Sequence, residues 1–360
     1  MPQTAGCGGN CAIFAGSLEK AVHVSLRIHK PYVLLMGDET NPIYAKTGLG
    51  IAQWDADNCV GQVRLSPDTV DAGLPDVTLE QALEAGARTV VLGVVVIGGI
   101  IPPATLSVLR EALEQGLDVA AGMHQRLADV PELAQAAQLS GAHIIDVRVP
   151  PENIPVGTGK RRTGKRVITV GTDCALGKKY TALALAREMA DQGFDVDFRA
   201  SGQTGILISG SGIPIDSVVS DFVSGAAELL SPAAASEKHW DVIEGQGSLF
   251  HPGYAAVTAG LLTGSQPDAF VVCTDATRSH MAGWPDFPLP SIGEVIELTT
   301  LMARRVNPEV RCVGISVNTS GLAREEKQPY LGRLSKEWGL PAVDPLDGGV
   351  APLVEALREW

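Results

Sequence analysis

The chain has 360 residues, about two and a half times a ~150-residue domain, so two domains are expected. Hydrophobic residues make up 45% and aromatics 5%, with 40 Gly and 23 Pro, which excludes a disordered chain and fits an α/β protein rich in strand–turn–helix junctions. With 28 basic against 41 acidic residues the net charge is −13, which argues against nucleic acid or an anionic membrane surface as partner but leaves room for a local small-anion site.

The N-terminus lacks a basic n-region, so no signal peptide is expected, and residues 1–30 read as a leader arm or a helix around Leu18 to Ile28. Cys7 and Cys11 have no second pair or His cluster near them, and the remaining cysteines are scattered. Neither a disulfide framework nor a metal site is expected, and the default setting is cytoplasmic. The run Val90 to Ile101 is too short for a bilayer and reads as a buried strand with its turn. Over residues 31–149, YVLLMG, CVGQVRLS, TVVLGVVV, LDVAAG and HIIDVRV read as strands. TLEQALEAG, PATLSVLREALEQG and PELAQAAQLSG carry apolar residues at helical spacing. Strands separated by helices imply a doubly wound parallel sheet, a Rossmann-like domain. Residues 150–165 are rich in Pro, Gly and basic side chains and read as a solvated linker. From 166 to 360 the alternation restarts with RVITVG, VDFRAS, WDVIEGQG, AFVVCTD, RCVGISVNT and PAVDP as strands, predicting a second doubly wound domain. Ligands of such sheets bind beyond the carboxyl ends of the strands.

The sharpest local signal is the strand–loop–helix Arg166–Thr181. Gly171, Thr172, Asp173, Cys174 and Ala175 lead to Gly177, Lys178, Lys179, Tyr180 and Thr181 at the start of a helix. Glycines let the backbone N–H groups curl round an anion, the helix N-terminus adds a partial positive charge, and Lys adds a full one. The spacing is G-x5-G-K rather than the common G-x4-G-K-[ST], and it resembles the loop of dethiobiotin synthetase and its relatives. The hydroxyl that would ligate Mg²⁺ is replaced by Lys179, and Thr181 lies roughly 200° further round the helix. Two adjacent lysines suggest phosphate neutralisation without a metal ligand in the loop, which suits coenzyme A better than a hydrolysed nucleotide.

Other candidates follow the later strands. Arg199, Gln203, Thr204 and Gly205 lie in a small polar loop. Glu244 ends an apolar strand, with Gln246, Ser248 and His251 on the flexible stretch behind it. A carboxylate there could hold Mg²⁺ or a water, or take a proton from an amine. Asp275, Arg278 and His280 precede a Pro-rich loop, and Arg278 suits a bidentate carboxylate clamp. Asn318 ends the next strand. Asp38, the turn Ala45–Gly48 and His124 are second-rank candidates for a cleft between the domains.

Taken together, VGTDCALGKKYTALAL, FRASGQTGILISG, VIEGQGSLFHPGYAAVT and LLTGSQPDAFVVCTDATRSHMAGWPDFPLPS, with AKTGLGIAQW and GMHQRLADVPELA before them, resemble a two-domain P-loop family long catalogued as a domain of unknown function. Within it they are most similar to the members that acetylate D-glutamate. The resemblance spans residues ~31–360 and implies an N-terminal Rossmann-like and a C-terminal P-loop domain. It also implies acetyl transfer from acetyl-CoA to the amine of D-glutamate in D-amino-acid catabolism. On that reading Lys178 and its loop hold the coenzyme A phosphates, and Glu244 or His251 is the base. Arg278, with Arg199 behind it, clamps the carboxylates, while Gln203, Thr204 or Ser248 donate hydrogen bonds. The rival readings are an ATP/Mg-dependent ligase or kinase acting on a small carboxylate, with Glu244 and Asp173 holding the metal, and a non-catalytic nucleotide sensor. The expected partner is a small-molecule substrate, and a homo-oligomer is compatible with the two apolar-rich domains.

Overall fold

In the computed structural model, residues 26–42, 44–95, 101–123 and 125–360 are described. The first sheet is built from β2 (Tyr32–Gly37), β3 (Cys59–Arg64), β4 (Thr89–Leu92), β5 (Asp118–Ala121) and β6 (Ile144–Asp146). They are preceded by the short β1 (Leu26–Arg27) and interleaved with α1 (Lys46–Trp54), α2 (Leu79–Glu84), α3 (Pro103–Glu114) and α4 (Pro131–Ser140). All five strands run parallel in the order β3-β2-β4-β5-β6, a doubly wound order with its switch point between β2 and β4.

Successive strand residues point to opposite faces, and here both faces are buried. Val33, Leu35, Val90 and Val119 pack with Leu79, Leu109, Leu113 and Leu133 of α2, α3 and α4. Tyr32, Leu34, Met36 and Val91 face the other way and pack with Ile51 of α1 and with Leu183, Ala200, Ile206 and Leu207 of the second half of the chain. One apolar cluster therefore runs through both domains.

The second sheet comprises β7 (Lys165–Gly171), β8 (Val196–Arg199), β10 (Trp240–Ile243), β11 (Ala269–Asp275), β14 (Arg311–Asn318) and β15 (Ala342–Val343). It is parallel in the order β15-β14-β11-β7-β10-β8, so β7 runs down the middle. Around it lie α5 (Lys178–Asp191), α6 (Gln203–Ser209), α7 (Val223–Leu230), α8 (Ala255–Ser265), α9 (Ile292–Ala303), α10 (Arg324–Trp338) and α11 (Ala351–Leu357). No helix among the described residues is long and apolar enough to cross a membrane.

Several local expectations are corrected. Leu26–Arg27 is not helical but pairs antiparallel with β9 (Ser211–Gly212), tying the leader to the second domain; residues 1–25, with Cys7 and Cys11, lie outside the described residues. The turn expected at Ala45–Gly48 opens α1, and the polar loop expected at 199–205 contains the first turn of α6. The Pro-rich loop carries a hairpin, β12 (His280–Met281) with β13 (Trp284–Pro288). The linker is largely exposed, as expected, but tethered: Arg162 donates to the carbonyls of Gly264 and Ser265 at the end of α8, and Thr158 and Gly159 bond Glu228. A helix C-terminus has unpaired carbonyls that an Arg satisfies well.

Candidate functional site

β7 ends at Gly171, where an added Cβ would meet the Cys273 carbonyl at 2.9 Å. The chain then curls through residues 172–176 into α5. Gly177 takes φ +102° at the N-cap, a conformation that L side chains rarely adopt. Among the described residues, no acceptor meets the N–H groups of Ala175, Leu176 and Gly177, and the first turn of a helix has no internal acceptors of its own. Lys178 is buried, and its Nζ donates to the Asp173 carbonyl at 2.6 Å, using one of its three hydrogens. Burial pushes its pKa down. The result is a concave set of donors suited to a phosphate.

Asp173 holds this loop from beneath. It is fully buried; its Oδ2 accepts from Arg278 (2.9 Å) and the Ala282 N–H (2.8 Å), and its Oδ1 accepts from the Cys174 N–H. Arg278 also donates to the carbonyls of Cys174 and Ala175. The expected carboxylate clamp is therefore a loop brace, and Asp173 does not face the phosphate position as a metal-binding acid would. His251 is likewise not an accessible base: its side chain has no exposed surface, and it packs against Tyr254 and Trp284. Its Nδ1 accepts the Gly253 N–H, which leaves the proton on Nε2, 3.7 Å from Asp173 Oδ1. Asp173, Cys174 and His251 are close enough together to hold a metal ion. A protonated Nε2 cannot be a ligand, so that grouping fits a metal poorly.

Thr172 and Thr181 point into the protein, toward Thr274 and Ser316. Ser248 is buried in a turn. Asp275 caps the turn at Thr277 and Arg278 and accepts from Asn318, so these two residues pair with each other. Arg199 is bound to Asp241 and Asp197 on the face of the sheet, away from the loop, and is not available as a second clamp. His280 is exposed and bonded to Ser279.

A second set of residues with unmet hydrogen bonds lines the junction of the domains. Glu244 follows β10 and is only 4% exposed. Its Oε2 accepts from the N–H groups of Ser201 (3.0 Å) and Gly202 (3.1 Å), whereas Oε1 has no hydrogen-bond partner among the described residues. Burial pushes its pKa up to about 7, and Lys179 and the two N–H groups oppose that rise. Gly205, on the first turn of α6, is needed here: a Cβ would come within 2.2 Å of Glu244 Oε2. Gln246 bonds Ser201 Oγ, and Gln203 turns its Oε1 toward Gly122, just past β5 of the first domain. That oxygen is buried and has no partner among the described residues. Thr204 lies near Gly50 of α1, and Tyr180 stacks on Trp54, at the end of α1, with centroids 6.0 Å apart.

Lys179 does not join Lys178 in the loop. Its Nζ sits 4.4 Å from the Tyr180 ring centroid and about 4.0 Å from where a Gly50 Cβ would be. Adjacent helical residues diverge by about 100°, so two neighbouring lysines cannot both face one phosphate. Ser201, Gly50, Gly122 and Trp54 were not singled out from the sequence. Ser201 alone had a signal there, as a polar residue at the end of a strand. His124 lies outside the described residues.

A family described as a domain of unknown function with a P-loop domain (DUF1611) matches residues 155–354, and its N-terminal companion, described as a Rossmann-like domain, matches residues 60–150. The crystal structure of a DUF1611 family protein from Anabaena variabilis superposes with a TM-score of 0.79 at 31% identity, over 92% of this chain and 100% of that one. A protein of Tritonibacter scottomollicae named D-glutamate N-acetyltransferase is 47% identical over 92% of this chain and 99% of its own length. One of the same name from a Pseudoalteromonas species is 46% identical over 92% and 100%. By that kinship the chain is an acyltransferase. With a Rossmann-like domain followed by a P-loop domain, the chain belongs to the DUF1611 family.

Proposed function

We propose that this protein moves an acetyl group from acetyl-CoA to the amine of D-glutamate. The observation that carries the reading is Glu244, a buried carboxyl with one oxygen held by two backbone N–H groups, the other free, and a pKa of about 7. An amine enters as ammonium and must lose a proton before it attacks the thioester carbonyl. A base poised near neutral pH at the reacting centre performs that transfer. The C–N bond then forms, the C–S bond breaks, and coenzyme A leaves as its thiol. The loop at residues 171–178 holds the donor's phosphates, with Lys178 as the cation. The names of the two bacterial relatives supply the acceptor. Nothing in the transfer requires nucleotide hydrolysis, which suits Lys179 in place of a Mg²⁺-binding hydroxyl.

Incubation with acetyl-CoA and D-glutamate, with and without ATP, Mg²⁺ and EDTA, tests this. Thiol release dependent on D-glutamate and indifferent to chelator is expected. ADP formation, or full loss of activity with EDTA, would instead establish the ligase or kinase reading.

A further inference from the structure

Lys179 has left the phosphate loop for the cleft, where it meets the first domain. Lys46 opens α1 one helical turn before Gly50, on the same face, and Lys179 Nζ sits about 4.0 Å from where a Gly50 Cβ would be. Burial and the Lys46 charge lower the Lys179 pKa, while Glu244 acts against them. Among the described residues, no carboxylate lies within ion-pair distance of either ammonium. Thr204 of α6 lies 3.6 Å from the same Gly50 position, and its neighbour Gln203 keeps Oε1 buried with no donor among the described residues, where Glu244 Oε1 is likewise unbonded. The cleft thus offers two cations from two domains and two acceptors. A dicarboxylic amino acid presents the complement, with carboxylates for the lysines and an ammonium for the acceptors. The arginines that could have clamped it, Arg278 and Arg199, are engaged elsewhere.

We infer that Lys179, with Lys46 across the cleft, holds the side-chain carboxylate of the acceptor and selects dicarboxylic over neutral amino acids. The selection deepens the acetyl-transfer reading and rests on it, but the binding it requires can be measured without the reaction. The competing role for Lys179 is simply to balance the charge of Glu244.

Glutarate, an unreactive dicarboxylate, would be titrated calorimetrically into wild type, Lys179→Met and Lys46→Met, and acetylation of D-glutamate and D-glutamine compared in all three. Lys179→Met should weaken glutarate binding about 10- to 100-fold, the range for a lost hydrogen-bonded charge, and collapse the preference for D-glutamate over D-glutamine. Lys46→Met, at an exposed position that folding tolerates, should act in the same direction more weakly. Equal glutarate affinity in wild type and variants, or equal loss on both acceptors with a shifted pH profile, would overturn the inference. If wild type releases no thiol while its glutarate binding depends on Lys179, the reaction reading fails and the carboxylate site stands.

Discussion

In the phosphate loop, the charged side chains are bonded inside the protein: Asp173 to Arg278 and Ala282, Arg278 to two carbonyls, Lys178 to a third. The wall of the cleft, reached from the same helix, keeps groups incomplete among the described residues: Glu244 has a free oxygen, Gln203 an unpaired one, and Lys179 no carboxylate within ion-pair distance. The Gln203 oxygen is buried, and a buried polar atom without a partner costs about 1–3 kcal/mol unless a ligand completes it. Single orphans occur elsewhere too, at His251 Nε2 and Arg162, so what sets the domain seam apart is that a carboxyl, an amide oxygen and an ammonium with unmet bonds gather there.

The largest test of this contrast is Glu244→Gln, which should lower kcat by about 10²–10⁴ while the fold is kept. In wild type, kcat/KM should rise with pH through about 7 as Glu244 loses its proton, and this limb should vanish in the variant but survive His251→Asn. Stability carries the opposite sign. The folded pKa lies above the ordinary 4.5, so the native state binds the proton more tightly, and stability falls as pH rises from 4.5 through 7. At pH 8 Glu244→Gln should therefore raise Tm relative to wild type. An equal kcat loss in His251→Asn would break the comparison.

Arg278→Ala sharpens it from the other side. Removing one partner of a buried ion pair should cost roughly 2–4 kcal/mol in chemical denaturation and weaken acetyl-CoA binding about tenfold, with KM for D-glutamate little changed. A rise in the D-glutamate KM with normal acetyl-CoA affinity would return Arg278 to the role of substrate clamp. The smallest effect is expected for Gly50→Ala. The nearest atoms would lie 3.6–4.0 Å from the new Cβ, so there is room for it, and Ala in a helix gains about 0.5–1 kcal/mol over Gly. Tm should rise by about one to two degrees. A fall would show that Lys179 and Tyr180 pack more closely on α1 than the distances allow.

The strands were legible in the sequence because apolar runs bounded by turn residues mark sheets buried on both faces; YVLLMG and AFVVCTD match β2 and β11 residue for residue. TLEQALEAG was legible even as the six-residue α2, but α1 and α6 were not. KTGLGIAQW carries two glycines and QTGILIS is seven residues long, so neither shows a sustained helical period. The residues of the phosphate loop could be read from spacing, but their partners could not. That Arg278 braces the loop, or that His251 is sealed among aromatics, depends on contacts between segments about a hundred residues apart or on a loop folded back on itself. The divergence of Lys178 and Lys179 was within reach of helical geometry alone. Its destination was not, since α1 comes from the other domain.

Tyr32, Leu34 and Met36 bury one face of the first sheet against α6. Two domains joined through oil rather than across water do not swing apart, since relative motion is the default only where the shared surface is small or polar. Substrates must then come and go along the open rim of the seam, and turnover should proceed without a clamshell movement. A gene split at the linker would yield a first half with a greasy, unroofed sheet, insoluble unless its other half is made beside it.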